Sequence, residues 1–455
     1  MAAITLEGTV NVSISNLTID FWPLSFTQGL CSNVVSYPAP PHNLTSFTLT
    51  VEEGFRGLDE LLPAGRTGYE AKTYWYSAAN RSLYHAQVQT SPVLWNFSRS
   101  GPGSFHVFAV RGTALGAWEP PAEGTLASIT PSGPAAIFSA GSSGLRLADV
   151  TLHSSPGMGF LEAGGEGGTV LQGWRAVQPP AGTLPPLGRL LVTSLDGVHS
   201  TSVGKGLLLV DSEVGASGDD AFAVHCEQGL SWGLPPAAAA AAASAAPEVW
   251  FIDTGGSAAR TVAGARAGDE LLFFALNETM EALGSATVSS LSIEPNATLQ
   301  AEAANASQDI KKELGLTVRP LAGQTLLVRI SFSSPLPEAA LRRFGAFAML
   351  PRQCGRGTTV LRSFLHDSSG GMRLKGAGVT VADSRISRAY GLRMLPEAFW
   401  TQSASFNVSI LNVQLQTTGR APAAPDSIEY ILGGVPGLRI ENTTCDGLPC
   451  PPPGN

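Results

Sequence analysis

Three aspartates carry the chemistry this sequence could perform. Asp196, in SLDGVHS, stands 23 residues before Asp219 and 24 before Asp220, the pair in SGDDAFAVH. A step of that length matches one turn of a repeating strand-and-corner unit. Stacked units lie about 4.8 Å apart, so side chains at equivalent positions can meet around one ligand. Carboxylates that close resist ionising together, which keeps at least one proton on the cluster near neutral pH. One protonated and one ionised carboxyl is the pairing that glycosidic bond cleavage uses. Two other readings stand beside it. Aspartates at corners hydrogen-bond the local backbone with no further role, and clustered carboxylates are the hard oxygen ligands that calcium takes.

Further residues could complete such a site. His199 and His225 lie three and five residues beyond Asp196 and Asp220, close enough to orient a carboxylate or a sugar hydroxyl. Arg373 and Lys375, in MRLKG, occupy the corner of a later unit and could hold a hydroxyl or an acidic group. Arg393, Glu397 and Trp400, in LRMLPEAFW, close the next unit, where an aromatic ring at a groove rim offers a platform for a sugar face. The plainer alternatives are satisfied structural histidines, solvated basic residues and a packed tryptophan. Other chemistries lack their residues: there is no GxSxG, phosphate-binding loop, HExxH or paired CxxC.

The elements that must position these residues show as a repeat. TVLRSFLHDSSGGMRLKG, from Thr359, recurs 21 residues later as TVADSRISRAYGLRMLPE, from Thr380, aligning Ser363 with Ser384 and Leu365 with Ile386. A third copy, LLVDSEVGASGDDAFAVH from Leu208, places Ser212 and Val214 at the same points and Asp219-Asp220 where the first copy has Gly370-Gly371. Short alternating strands at a period near 20 gain a continuous core only by stacking, which makes the fold class all-β, a right-handed parallel β-helix. A β-sandwich with irregular strands is the alternative. Two stretches lack the corner pattern and read as β-rich inserts. The expected order is a first coil over 1–31, an insert over 32–111, β-helix with the candidate site over 112–227, a second insert with an alanine-rich loop over 228–352, β-helix over 353–445 and a tail over 446–455. The peptide DIKKELG near Lys311 suggests a short helix.

Composition bounds the setting. A charged fraction of 14% with 51 glycines and 32 prolines favours strands and turns over helices. A net charge of -8 with no Lys/Arg-rich run gives no footprint for nucleic acid or an acidic membrane surface. No uncharged apolar run reaches the about 18 residues of a membrane span. Ten asparagines stand in Asn-x-Ser/Thr, where chance supplies about two or three, which implies a glycoprotein, secreted, wall-associated or in a secretory-pathway lumen. The opening MAAITLEGTV lacks the features of a signal peptide, so a mature form, a fragment or an incomplete gene is expected. Among five cysteines, Cys445 and Cys450 are close enough for a small disulfide, and the odd count leaves at least one thiol over.

A strand-borne Asp followed one coil later by Gly-Asp-Asp resembles the pectin-lyase-like β-helix hydrolases, polygalacturonases among them. The chain is most similar in type and order to inverting β-helix α-1,3-galactosidases with β-barrel inserts, through NLTIDFWPLSFTQG, GMRLKGAGVTV and LRMLPEAFW. It departs from polygalacturonases in lacking Gly-His-Gly after the Asp pair and in reading Ser-Leu-Asp where they show Asn-Thr-Asp. The resemblance implies Asp219 as general acid with Asp196 and Asp220 activating water. The expectation is an inverting glycoside hydrolase acting on a galactose-containing glycan or other extracellular polysaccharide, with no cofactor. Its rivals are a non-catalytic glycan-binding or surface scaffold and a calcium-dependent polysaccharide lyase using Arg373 or Lys375 as base. Oligomeric state is not encoded in any of these features.

Overall fold

The computed structural model describes residues 2–450 except 40–41, 63–70, 84–92, 113–121, 181, 184, 227–228, 234–247, 254–261, 277–280, 314–325, 390–391, 395–404, 406, 417–434, 436 and 446. Its strands form two large sheets, parallel except at a C-terminal hairpin, and two closed antiparallel barrels. The seven-stranded sheet stacks, in order, Ile4–Glu7, Ile137–Ala140, Phe160–Ala163, Val198–Thr201, Asp220–His225, Gly371–Leu374 and Leu392–Arg393. The larger sheet holds two columns, so that a pass such as Thr359–Leu361, Phe364–Ser368, Gly371–Leu374 contributes two strands to it and one to the smaller sheet. Parallel pairing throughout these stacks is not the arrangement of an antiparallel sandwich.

Register explains the stack. Leu147, Leu171, Leu209, Val360, Val381 and Ile410 lie opposite one another in sequence, and Val198, Phe222, Met372 and Leu392 do the same across the core. All ten are buried in one cluster, so like residues meet like residues at every step. The repeat read from the sequence is the observed pairing: Val214 faces Leu365, and Leu365 faces Ile386. Its serines form a ladder in which each backbone N–H donates to the hydroxyl one pass on, from Trp174 to Ser212, Ser212 to Ser363 and Ser363 to Ser384.

The corner between the two columns uses one left-handed residue per pass. Asn16, Asp149, Gly173, Asp211, Arg362, Asp383, Asn412 and Asn442 have φ between 46 and 60°. Asn, Asp and Gly tolerate that region best. Arg362 departs from the type, and its guanidinium pairs with Asp211, one pass before it, at 2.7 Å.

The first barrel closes through Thr27–Ala39, His42–Val51, Ser104–Gly112, Val93–Gly101, Ala71–Tyr76 and Leu126–Pro131, so its strands run beyond the expected 32–111 at both ends. The second closes through Gly229–Gly233, Glu248–Asp253, Leu326–Phe332, Ala282–Ile293, Glu270–Ala275 and Ala346–Met349. Each has its own core, around Phe47 and Trp75 in one and around Phe251, Phe273 and Phe332 in the other. The helix expected near Lys311 is longer than its peptide suggested. It spans Ala297–Glu313, and Asn296 Oδ1 accepts from the Thr298 and Leu299 amides at its start. Cys226 and Cys354 form a disulfide, as do Cys445 and Cys450, and Cys31 is a buried thiol. The alanine run at 237–243 lies outside the described residues.

Candidate functional site

Asp196, Asp219 and Asp220 each place an oxygen within 4.8 Å of the others. Asp196 precedes the strand Val198–Thr201, and Asp220 opens the next strand of the same sheet. The Gly197 amide donates to the Asp220 carbonyl at 2.9 Å, which brings the two turns together. Asp220 faces Gly371, and the register slips between Asp220 and Phe222, a bulge of the kind that re-aims a side chain. The neighbouring glycine leaves room for it: a Cβ at Gly370 would lie 2.2 Å from Asp220 Oδ1.

Every carboxylate has a partner. His199 Nδ1 lies 2.5 Å from Asp196 Oδ2. Arg373 Nε lies 3.0 Å from Asp220 Oδ2, with the Asp220 side chain only 1% exposed. The Lys72 ammonium donates to Asp219 Oδ2 at 2.7 Å, and Asp219 is the accessible member, its side chain 33% exposed. Burial alone pulls the Lys72 ammonium down; Asp219 beside it outweighs that, with Tyr74 and Asp196 adding to it, and holds the group above the ordinary lysine range.

Lys72 comes from the first barrel, 147 residues away along the chain from its partner. The barrel is pinned over the cluster at further points. The Tyr74 hydroxyl donates to the Ser194 carbonyl at 3.3 Å, and Thr130 Oγ1 bonds Ser194 Oγ at 2.5 Å. A Cβ at Gly218, next to Asp219, would come within 2.9 Å of the Tyr74 hydroxyl. None of these barrel residues stands in a motif, so local sequence gave no signal for them.

The two histidines are buried behind Asp196. Their Nε2 atoms are 2.7 Å apart and their rings perpendicular, and His225 Nδ1 lies 3.3 Å from Thr201 Oγ1. Burial, with His199, Arg373 and Lys375 as neighbours, pushes His225 well below the ordinary histidine range, so it is neutral. His225 is 3% exposed and Lys375 0%. The sequence offers both as substrate-binding residues, and in the structure both are buried. Arg393 pairs with Arg373 through the backbone one pass later. Glu397 and Trp400 lie outside the described residues.

An open groove of about 750 Å³ runs instead along the outer face of the larger sheet, past Asp211, Glu213, Arg362 and Phe364. Its charges pair among themselves, Arg362 with Asp211 and Arg175 with Glu213, and it is separate from the three aspartates.

No family model matches this chain, and no curated protein matches it. One solved structure it is similar to is the catalytic unit of a thermostable GH87 α-1,3-glucanase from Streptomyces thermodiastaticus strain HF3-3. That comparison has 9% identity over 92% of this chain and 87% of the other, with a TM-score of 0.16. An overlap that low carries no argument about fold or activity.

Proposed function

We propose that the two parallel sheets are faces of a right-handed β-helix and that the chain is a glycoside hydrolase acting on an extracellular glycan, galactose-containing in the first instance. The observation that carries this reading is the meeting of Asp196, Asp219 and Asp220 within 4.8 Å, with one of the three accessible. Asp219, reached from solvent, is the proton donor to the departing sugar oxygen. Asp196, buried and oriented by His199, is the base that takes a proton from water, with Asp220 beside it. Asp219 meets Lys72 in the free protein, so the substrate must displace that ammonium before Asp219 can hold the proton it donates.

Carboxyl spacing bears on stereochemistry. Inversion leaves about 6.5 to 9.5 Å between carboxyls for water, and retention about 5 to 5.5 Å. The 4.8 Å here is a distance between single chosen oxygens and not between whole carboxyl groups, so the stereochemistry is read from the product. A resident calcium ion suits the site poorly, because Lys72 and Arg373 already occupy two of the three carboxylates. The same Asp220 contact argues against Arg373 as a lyase base.

The test is hydrolysis of a panel of α- and β-linked galactosides and pectic oligosaccharides by the wild type and by Asp219→Asn. The substitution is expected to lower kcat by roughly 10²- to 10⁴-fold, the usual contribution of a general acid. Proton NMR of the first anomer released then reads the stereochemistry. One observation favours a second reading, a catalytically silent glycan-binding scaffold: each carboxylate is already paired. Absence of release from every substrate, with equal glycan binding by both proteins, would establish that alternative.

A further inference from the structure

Behind Asp196 runs a continuous chain of hydrogen-bonding atoms: Asp196 Oδ2, His199 Nδ1, His199 Nε2, His225 Nε2, His225 Nδ1 and Thr201 Oγ1, with links of 2.5, 2.7 and 3.3 Å. The strands Val198–Thr201 and Asp220–His225 are parallel neighbours, with Thr201 opposite His225, so the register itself sets the rings together. Asp196 is 5% exposed, His199 9% and His225 3%, too enclosed for a sugar to be the partner of both rings.

Hydrogen-bond chemistry limits the proton arrangements. An ionised Asp196 only accepts, so His199 carries its proton on Nδ1. If His199 is neutral, its Nε2 accepts from His225 Nε2–H, and His225 Nδ1 accepts from the Thr201 hydroxyl. If His199 is charged, its Nε2–H donates to His225 Nε2, and His225 Nδ1–H donates to Thr201. In both, Nδ1–H of His199 faces Asp196, and the Cys226 backbone, which also hydrogen-bonds the His225 ring, favours the arrangement with a proton on His225 Nδ1. A second proton on the pair would set two imidazolium rings against each other with Arg373 and Lys375 on the next pass and Lys72 from the barrel, and only Asp196, Asp219 and Asp220 opposing them.

We infer that His199 and His225 are a positioning pair for Asp196, in which Asp196 keeps the His199 proton on Nδ1, His225 holds the His199 ring through its Nε2, and His199 thereby holds one Asp196 oxygen, leaving the other for water. This rests on the hydrolase reading for its effect on turnover but not for its geometry. Of the two roles that spacing suggested, orienting a carboxylate or a sugar hydroxyl, the pair fits the first, and the link through His225 and Thr201 extends it. Where an outer partner orients a metal-ligating imidazole, its removal costs roughly 10- to 100-fold, and a loss of that order is expected for a carboxylate-orienting one here.

The experiment has two readouts. In protein labelled with ¹⁵N at histidine, His199 is expected to show a protonated Nδ1 in the wild type, and His225→Leu is expected to shift its Nε2 resonance by removing the partner there while Nδ1 stays protonated. His225→Gln keeps an amide that can donate to His199 Nε2 and is expected to hold the Nε2 resonance near its wild-type position. In turnover, His225→Leu is expected to lower kcat by about 10- to 100-fold with little change in KM and to move the pH profile, while His225→Gln recovers most of the rate. Near-ultraviolet circular dichroism confirms that each variant is folded. An unprotonated His199 Nδ1 in the wild type, or equal rates and equal His199 Nε2 shifts in folded Leu and Gln variants, overturns the pairing. If no substrate is cleaved by any form, the hydrolase reading falls, and the nitrogen shifts still decide the pairing.

Discussion

At the scale of single residues, the same sheet that holds the histidines also buries a carboxyl held by two hydroxyls. Glu162 faces Ser200 across the sheet, 1% exposed, accepting hydrogen bonds from Thr169 and from Ser200 Oγ at 3.0 Å. Burial pushes its carboxyl up from 4.5 to about 7, and the two hydroxyls oppose the shift only in part. The folded protein therefore binds this proton more tightly than the unfolded chain does. The stability it contributes is fully present below pH 4.5 and is lost as pH rises through about 7. That interval corresponds to roughly 3 kcal/mol. Glu162→Gln, which keeps the size and cannot ionise, is expected to be more stable than wild type at pH 8 and to show no advantage at pH 4.5 or below. Denaturant midpoints at the two pH values measure this, and an equal difference at both would show that the Glu162 pKa is the same in the folded and unfolded states.

At the scale of elements, the disulfide Cys226–Cys354 closes the base of the second barrel. Cys226 follows the strand that begins with Asp220 and ends with His225, and Cys354 precedes the next pass, with a sequence separation of 128 residues. A cross-link across a loop that long removes up to about 5 kcal/mol of chain entropy from the unfolded state. Replacing both cysteines by serine is expected to lower the denaturant midpoint and to raise hydrogen exchange most in the residues flanking 226 and 354. Exchange unchanged at those positions would show that barrel packing alone closes the loop. The pairing itself was not legible in the sequence, because it depends on where a 128-residue excursion returns. The stacked passes were legible, since Ser363, Ser384, Leu365 and Ile386 repeat at the observed register. The barrels showed only as stretches without the corner pattern, and the first extends to Pro131 because its closing strand, Leu126–Pro131, reads like any other buried strand. The aspartates could be read because one pass brings them into line. Lys72 could not, since what places it is the docking of Tyr74 and Thr130 on Ser194, a contact that no local spacing encodes.

At the scale of the whole molecule, the distribution of sequons can be set against the surface. Eight of the ten sequon asparagines lie among the described residues with described side chains: Asn11, Asn16, Asn80, Asn96, Asn296, Asn305, Asn407 and Asn442. All eight are exposed. Two of them, Asn16 and Asn442, occupy left-handed corner positions of the larger sheet, where a projecting side chain does not interrupt the ladder. Asn296 caps its helix through Oδ1, leaving its amide nitrogen free of that role. A chain carrying these sites through a secretory pathway would bear glycans on the corners and both barrels, while Asp219 remains on the surface between the first barrel and the sheet. Expression in a eukaryotic secretory host is expected to yield protein whose mobility shifts on treatment with an amide-cleaving glycosidase. Peptide mass spectrometry should then find asparagine converted to aspartate at most of these eight positions. Unmodified asparagine at all of them in secreted protein would mean that the sequons answer to another constraint, the left-handed corners and turns that asparagine fills for steric reasons.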